Sequence, residues 1–202
     1  MSKILETAFE EVKKSKFYFV DKTNFEVQDA FIFWTNFSGK ANQFGSVART
    51  FNLAVPAEAA SQLLALGYRV REEVVGELVD NATGKTVPAK VYFVNIKINM
   101  DSEYPPTVKL FSEYKGKKTQ TVIADNDTLA ILDKADIKSC DLAVHCYMSK
   151  RYEGKCTGYL KTLYVIEEPN VVFGGKYDDW DEQNVSDANE VELNQLAEDP
   201  NY

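Results

Sequence analysis

Phe25-Glu26-Val27-Gln28-Asp29-Ala30-Phe31-Ile32-Phe33-Trp34-Thr35-Asn36-Phe37, answered by Val47-Ala48-Arg49-Thr50-Phe51-Asn52-Leu53-Ala54-Val55, is the stretch on which the fold class turns. It is rich in aromatic and β-branched residues, the types that fit a pleated surface. Phe31, Phe33 and Phe37 fall on one parity, Ile32 and Trp34 on the other. With both parities apolar, this strand is expected to be covered on both faces or lined on one by ligand. Ser38-Gly39-Lys40-Ala41-Asn42 between the two runs reads as a turn.

Downstream, Pro56 and Gly67 bracket a helix, with Leu63, Leu64 and Leu66 supplying its buried side. After a loop through Asn81 and Gly84, Ala89 to Met100 alternates, Tyr92, Val94, Ile96 and Ile98 against Asn95, Lys97 and Asn99. Pro105-Pro106 ends that unit. Thr107–Tyr114 and Lys118–Ile123 form a hairpin around Lys115-Gly116-Lys117. Asp125 to Leu132 reads as a short helix, and Asp141–Ser149 with Cys156–Ile166 as a second hairpin around Glu153-Gly154. Upstream, Ile4, Leu5, Ala8, Phe9 and Val12 have helical spacing and predict a short amphipathic helix docked on the body. About seven strands with two or three short helices predict a mainly β fold, a barrel or sandwich rather than βαβ units.

Charge divides the chain. Residues 177–202 hold nine carboxylates, Asp178, Asp179, Asp181, Glu182, Asp187, Glu190, Glu192, Glu198 and Asp199, and no Lys or Arg. All 23 basic residues therefore lie in residues 1–176, against the remaining 22 of 31 acidic ones. The net charge of −8 belongs to the tail, and the body is near neutral. The tail has no apolar run able to offset the entropy of ordering it, and is expected to be disordered. The organisation expected is a lead-in over residues 1–24, a binding domain over 25–176 and an acidic tail over 177–202. No stretch approaches the ~20 apolar residues of a membrane span. The start, with three glutamates and no apolar core, is not a secretory signal. Three cysteines, an odd number, argue against a disulfide framework and for the reducing cytosol.

Catalysis finds little support. The one histidine, His145, lies mid-strand beside Cys146, where a structural role is the commoner reading. Cys140, His145, Cys146 and Cys156 lack the Cys-x₂₋₄-Cys spacing that presents two sulfurs from one turn, so no zinc site is expected. Asp125-Asn126-Asp127, with Asp133 and Asp136, fails as a calcium loop because Leu129 and Ala130 stand where an oxygen ligand and glycine are needed. It succeeds as a helix cap. The glycines at 39, 45 and 67 form no nucleotide-binding loop. Neither a catalytic residue, a metal nor a cofactor is expected.

What remains is basic and aromatic residues interleaved on strands and turns. Bases stack on aromatic rings while Lys and Arg follow phosphates, so this mixture suits a single nucleic-acid strand. The stacking candidates are Trp34, Phe37, Tyr147, Tyr152 and Tyr159; the phosphate candidates are Arg49, Lys97, Lys109, Lys117, Lys118, Lys150, Arg151 and Lys161. Most aromatic residues must nevertheless build the core.

Five phrases carry a resemblance: Thr35-Asn36-Phe37-Ser38-Gly39-Lys40; Arg49-Thr50-Phe51-Asn52-Leu53; the run from Asp127 to Ile137; Asp141-Leu142-Ala143-Val144 with Tyr147; and Gly158-Tyr159-Leu160-Lys161-Thr162-Leu163-Tyr164-Val165. In order and spacing they resemble bacteriophage single-stranded DNA-binding proteins across residues 27 to 168. That resemblance implies an OB-fold-like β-barrel, an acidic C-terminal tail, and sequence-independent binding of single-stranded DNA in replication, recombination or repair. Partner proteins recruited through the tail are expected, and a homo-oligomer is left open. The family often has a basic residue where Thr35 stands and an aromatic near Ser149; both are lacking here. The alternatives are a virion-associated interaction barrel, which predicts scattered basic turns and no aromatic groove, and a carboxylate-metal nuclease, which requires acids converging on one cation.

Overall fold

The computed structural model describes residues 2–41, 45, 47–80, 84–114, 117–148 and 154–168. It forms two units, Met1–Glu168 and Pro169–Tyr202, and the second lies outside the described residues, as does the expectation of a disordered acidic tail. The first unit is mainly β. Helix α1 (Lys3–Glu11) precedes strands β1 (Lys16–Phe19), β2 (Asn24–Ala30), β3 (Ile32–Asn36) and β4 (Thr50–Val55). Helix α2 (Ala57–Ala65) leads to β5 (Val70–Val79), β6 (Thr86–Lys97), β7 (Thr107–Tyr114) and β8 (Lys117–Ile123). Helix α3 (Asn126–Leu129) runs into a 3₁₀ turn, Ala130–Asp133, before β9 (Ile137–Met148) and β10 (Cys156–Glu167).

All ten strands belong to one sheet with the pairing path β1-β2-β9-β10-β6-β4-β3. β5 joins the far stretch of β6, and the β7–β8 hairpin joins β10. The path is open, ending on β1 and β3. Buried residues of β2, β4, β6, β7, β8, β9 and β10 nevertheless meet in one core with Leu63 of α2 and Leu129 and Leu132 beyond it, so the sheet wraps around a single interior. A smaller cluster forms on the outside, where Leu5 and Ala8 of α1 cover Phe33, Ala54, Val91 and Phe93. Apolar side chains are therefore needed on both faces of this corner: Phe33 and Phe93 meet α1, while Ile32 and Val94 pack on the main core.

Several expectations need correction. Residues 25–37 are two strands: β2 pairs with β9, the chain breaks at Phe31, and β3 pairs with β4. β5, ten residues long, fills the stretch between the helix ending at Gly67 and the loop through Asn81 and Gly84 to which the sequence assigns no element, and β1 is likewise unassigned there. β5 is exposed along most of its length, so its burial pattern carries no alternation to read. The cysteine count also misled. Cys146 and Cys156 form a disulfide, because the register that opposes Gly158 to Cys146 and Cys156 to Met148 sets the two sulfurs one diagonal apart. Cys140 stays a thiol, and burial among apolar groups pushes it up to about 12.

Local chemistry explains the helix ends. Asp125 caps α3, its carboxylate accepting the Thr128 N–H at 2.8 Å, while the Asp125 N–H donates to Thr128 Oγ1 at 3.2 Å. Helix α2 closes in a Schellman arrangement: Tyr68 N–H donates to Leu63 and Gly67 N–H to Leu64, both at 3.0 Å, with Gly67 at φ +87°.

Candidate nucleic-acid interface

Strand register assembles the site. Across six neighbouring strands, Asn24 (β2) opposes His145 (β9), His145 opposes Tyr159 (β10), Tyr159 opposes Lys97 (β6), Lys97 opposes Thr50 (β4) and Thr50 opposes Asn36 (β3). Directly paired residues share a face. These six therefore form one continuous row across the outer face, and their neighbours Val144, Leu160, Ile96 and Phe51 point into the core.

Tyr147 extends the row on β9, half exposed, its ring edge-on to Tyr159 at 6.3 Å between centroids. Trp34 joins it at the other end. The bulge between Phe33 and Asn36 places Trp34 at φ +46°, a left-handed conformation costing a non-glycine residue ~1–2 kcal/mol. The twist lets both Phe33 and Trp34 pack edge-on against Phe93, at 5.3 and 5.7 Å, while Trp34 stays 47% exposed. Phe93 lies on the same side of β6 as Lys97. The indole thus rests on the edge of the α1-covered cluster with much of its surface open to a ligand. Between the indole and Lys97 lie Asn52 and Asn95, an opposed pair whose amides meet at 3.4 Å.

The polar end of the row is held by a chain of hydrogen bonds. His145 Nδ1 meets Asn24 Oδ1 at 3.0 Å, and Asn24 Nδ2 donates to Asp21 Oδ2 at 2.7 Å. Asp21 also accepts Thr23 N–H, Thr23 Oγ1 and Asn24 N–H. The Asn24 amide, with Thr23 behind it, holds the Asp21 carboxyl far below the usual carboxylate range. At the opposite end Asp133 accepts the backbone N–H groups of Phe37 and Ser38 at 2.9 and 2.8 Å, fixing the turn after β3.

The other expected residues are placed as follows. Phe37 is wholly buried against Phe51, so its assignment as a stacking residue is corrected: it is core. Arg49 is half-buried just before β4, its guanidinium carbon packed where a Cβ on Gly39 would stand, 3.1 Å away. Lys109 lies farther along the same face, its ammonium 5.5 Å from the centre of the Tyr164 ring opposite it. Lys118 is exposed on β8 and pairs at 3.8 Å with Glu113, which divides its charge between a carboxylate and any ligand. Lys117 begins β8 opposite Tyr114. Lys161 stands exposed at the bulge of β10. Lys150, Arg151 and Tyr152 fall outside the described residues.

Residues that sequence reasoning passed over are Asn24, Asn36, Thr50, Asn99, Tyr104 and His145 as members of this face. The sequence reads His145 as a structural strand residue, with base and zinc ligand as the weaker alternatives. Its alternation with Val144 and Cys146 marks it as outward-facing, but only the register shows what lies beside it. Among the described residues no group of His, Cys, Asp or Glu side chains is arranged to hold a metal ion, and no helix is long and apolar enough to cross a membrane.

Residues 14–196 match a family model described as "Putative phage ssDNA-binding domain". No curated protein matches the chain. Among solved structures, the single-stranded DNA-binding protein from bacteriophage Enc34, a C-terminal truncation, is similar at 7% identity and a TM-score of 0.37, covering 75% of this chain and 94% of that one. Gp2.5, a single-stranded DNA-binding protein encoded by bacteriophage T7, is similar at 14% identity and a TM-score of 0.26, covering 77% and 97%.

Proposed function

The chain belongs to the phage ssDNA-binding domain family and binds single-stranded DNA, and from that premise we propose that the outer sheet face from Trp34 to Tyr147 is its strand track. The observation that carries this assignment is the in-register row Asn36–Thr50–Lys97–Tyr159–His145–Asn24, with Trp34 and Tyr147 beside it. Rings that stand on a rigid sheet accept base faces without reading sequence, and Lys97 sits among them where a phosphate passes. Amides and hydroxyls on the row supply neutral hydrogen bonds that any strand can use. This is the chemistry of a sequence-independent binder rather than of a catalyst. The reading is a non-enzymatic protein that protects or organises single strands in phage replication, recombination or repair, in the host cytoplasm.

In this reading Lys117 and Lys118, at the start of β8, extend the phosphate path together with Lys150 and Arg151, and Tyr152 adds a stacking ring. The tail adds regulation. Nine carboxylates tethered to the body compete with DNA phosphates for the same cations at low salt. When DNA displaces the tail, its carboxylates are free to recruit replication or recombination proteins.

The test is a fluorescence-anisotropy titration of labelled oligo-dT at two salt concentrations, with duplex of equal length as competitor and a cleavage gel on the same samples. The reading requires tighter binding to the single strand, a log–log salt slope near ~−0.7 per neutralised phosphate, and no cleavage. Preference for duplex, or salt-independent binding, would overturn it.

A further inference from the structure

Two adjoining clefts open where the loop between β6 and β7 faces the row. One, of about 310 Å³, is lined by Asn99, Tyr104, Tyr147 and others; its neighbour, of about 410 Å³, by Asn24, Pro105 and Lys161. Both share Tyr104, His145, Tyr159 and Leu160. We propose that this double cleft is a clamp for a single nucleobase, in which Tyr104 closes over a base laid against Tyr159 and His145 takes a hydrogen bond from the base's edge.

Three observations carry it, all resting on the single-stranded DNA reading above. First, Tyr104 is 84% exposed, yet its loop is built rather than slack. Asp101 N–H donates to Asn99 Oδ1 at 3.2 Å, Ser102 Oγ donates to Asn99 O at 3.1 Å, and Asn126 Nδ2 holds the Asp101 carboxylate at 2.8 Å. Pro105 and Pro106 then fix the backbone that follows. A ring presented on a preorganised loop loses little freedom on meeting a flat ligand.

Second, the hydrogen-bonding edge is oriented. Asn24 gives its Nδ2 to Asp21, so its Oδ1 faces His145 and requires a hydrogen on His145 Nδ1. With the hydrogen on Nδ1, Nε2 is the position of the ring that can accept. Every DNA base carries at least one N–H group that such an acceptor can receive.

Third, the electrostatics favour this place over the groove lower on the sheet. Neither cleft is lined by a carboxylate, and Lys161 stands at the rim. The groove lower on the sheet is lined by Glu26 and Asp141 with no basic residue, which repels a polyanion.

The experiment compares oligo-dT with an abasic oligonucleotide of the same length, titrated by anisotropy against the full-length protein and its Tyr104→Ala and Tyr104→Phe variants. Removing one stacking ring should weaken oligo-dT binding by about 5- to 150-fold. Abasic binding should be unchanged, and Tyr104→Phe, which keeps the ring, should bind both as the wild type does. Wild-type oligo-dT affinity in Tyr104→Ala, or an equal loss on both ligands, would overturn the clamp and leave single-stranded DNA binding standing. Failure of the wild type to bind oligo-dT at low salt would instead overturn the binding reading and the clamp together.

Discussion

Lys97 and Phe37 are both candidates for the strand track in the sequence, and they take opposite roles, one on the outer face of β6 and the other in the core just after β3. Lys97 is exposed between Thr50 and Tyr159, with its charge directed along the outer face. Lys97→Ala should leave the melting temperature unchanged, weaken oligo-dT binding and lower the magnitude of the log–log salt slope by ~0.7, one phosphate's share. An unaltered slope would place the strand elsewhere. Phe37 has no exposed surface and packs on Phe51. Phe37→Ala should cost about 3–5 kcal/mol of stability in a urea melt, the cost of a large core cavity. Below its unfolding range, its affinity for oligo-dT per folded molecule should stay near that of the wild type. Trp34 was legible as an aromatic on a strand, but the positive φ that turns it outward was not, since it arises from a bulge against β4.

The helix ends and turns set how the elements meet. Gly67 closes α2 and its carbonyl accepts the Cys156 N–H at 2.9 Å, so one residue ties the helix to the start of β10. A Cβ there would collide with the Gly154 carbonyl oxygen, and the φ of +87° disfavours any side chain independently. Gly67→Ala should therefore lower the melting temperature far more than Gly84→Ala, which also has positive φ but meets nothing within 4 Å. Equal shifts in the two variants would show that the close approach to Gly154 is not needed. Asp125 acts through charge. The Thr128 N–H, and then the Thr128 hydroxyl, hold its carboxyl below the ordinary value. A depressed folded value contributes stability above the unfolded value of ~3.9, and that stability is lost as pH falls through the folded value. The melting-temperature gap between wild type and Asp125→Ala should thus be constant near neutrality and close as pH drops below ~4. A gap that persists at the acid end would mean the carboxylate is not the source of the effect.

At the scale of the whole molecule, the opposition of a near-neutral body and an anionic tail dominates. The body holds all 23 basic residues against 22 acidic ones, and the tail carries nine carboxylates without a basic residue. Truncation after Lys176 should raise affinity for oligo-dT, more at low ionic strength than at high, because screening weakens the tail's competition. Circular dichroism should show the fold retained. Equal or weaker binding by the truncated protein across a salt series would make the tail a solubilising appendage.

By itself the sequence determined the mainly β class, the two amphipathic helices, the cap at Asp125, the segregation of charge and the family phrases. Each of these depends on neighbours close in the chain, through period-two alternation, capping chemistry or composition. Only the tertiary structure decided that residues 25–37 divide between two partners, that Phe37 turns inward, that Cys146 meets Cys156, and that Asn24, His145, Tyr159, Lys97, Thr50 and Asn36 stand in one line. The physical reason is register. Alternation fixes which parity of a strand faces outward, but which residue of which other strand lies beside it depends on pairings that span up to 121 residues of sequence between Asn24 and His145.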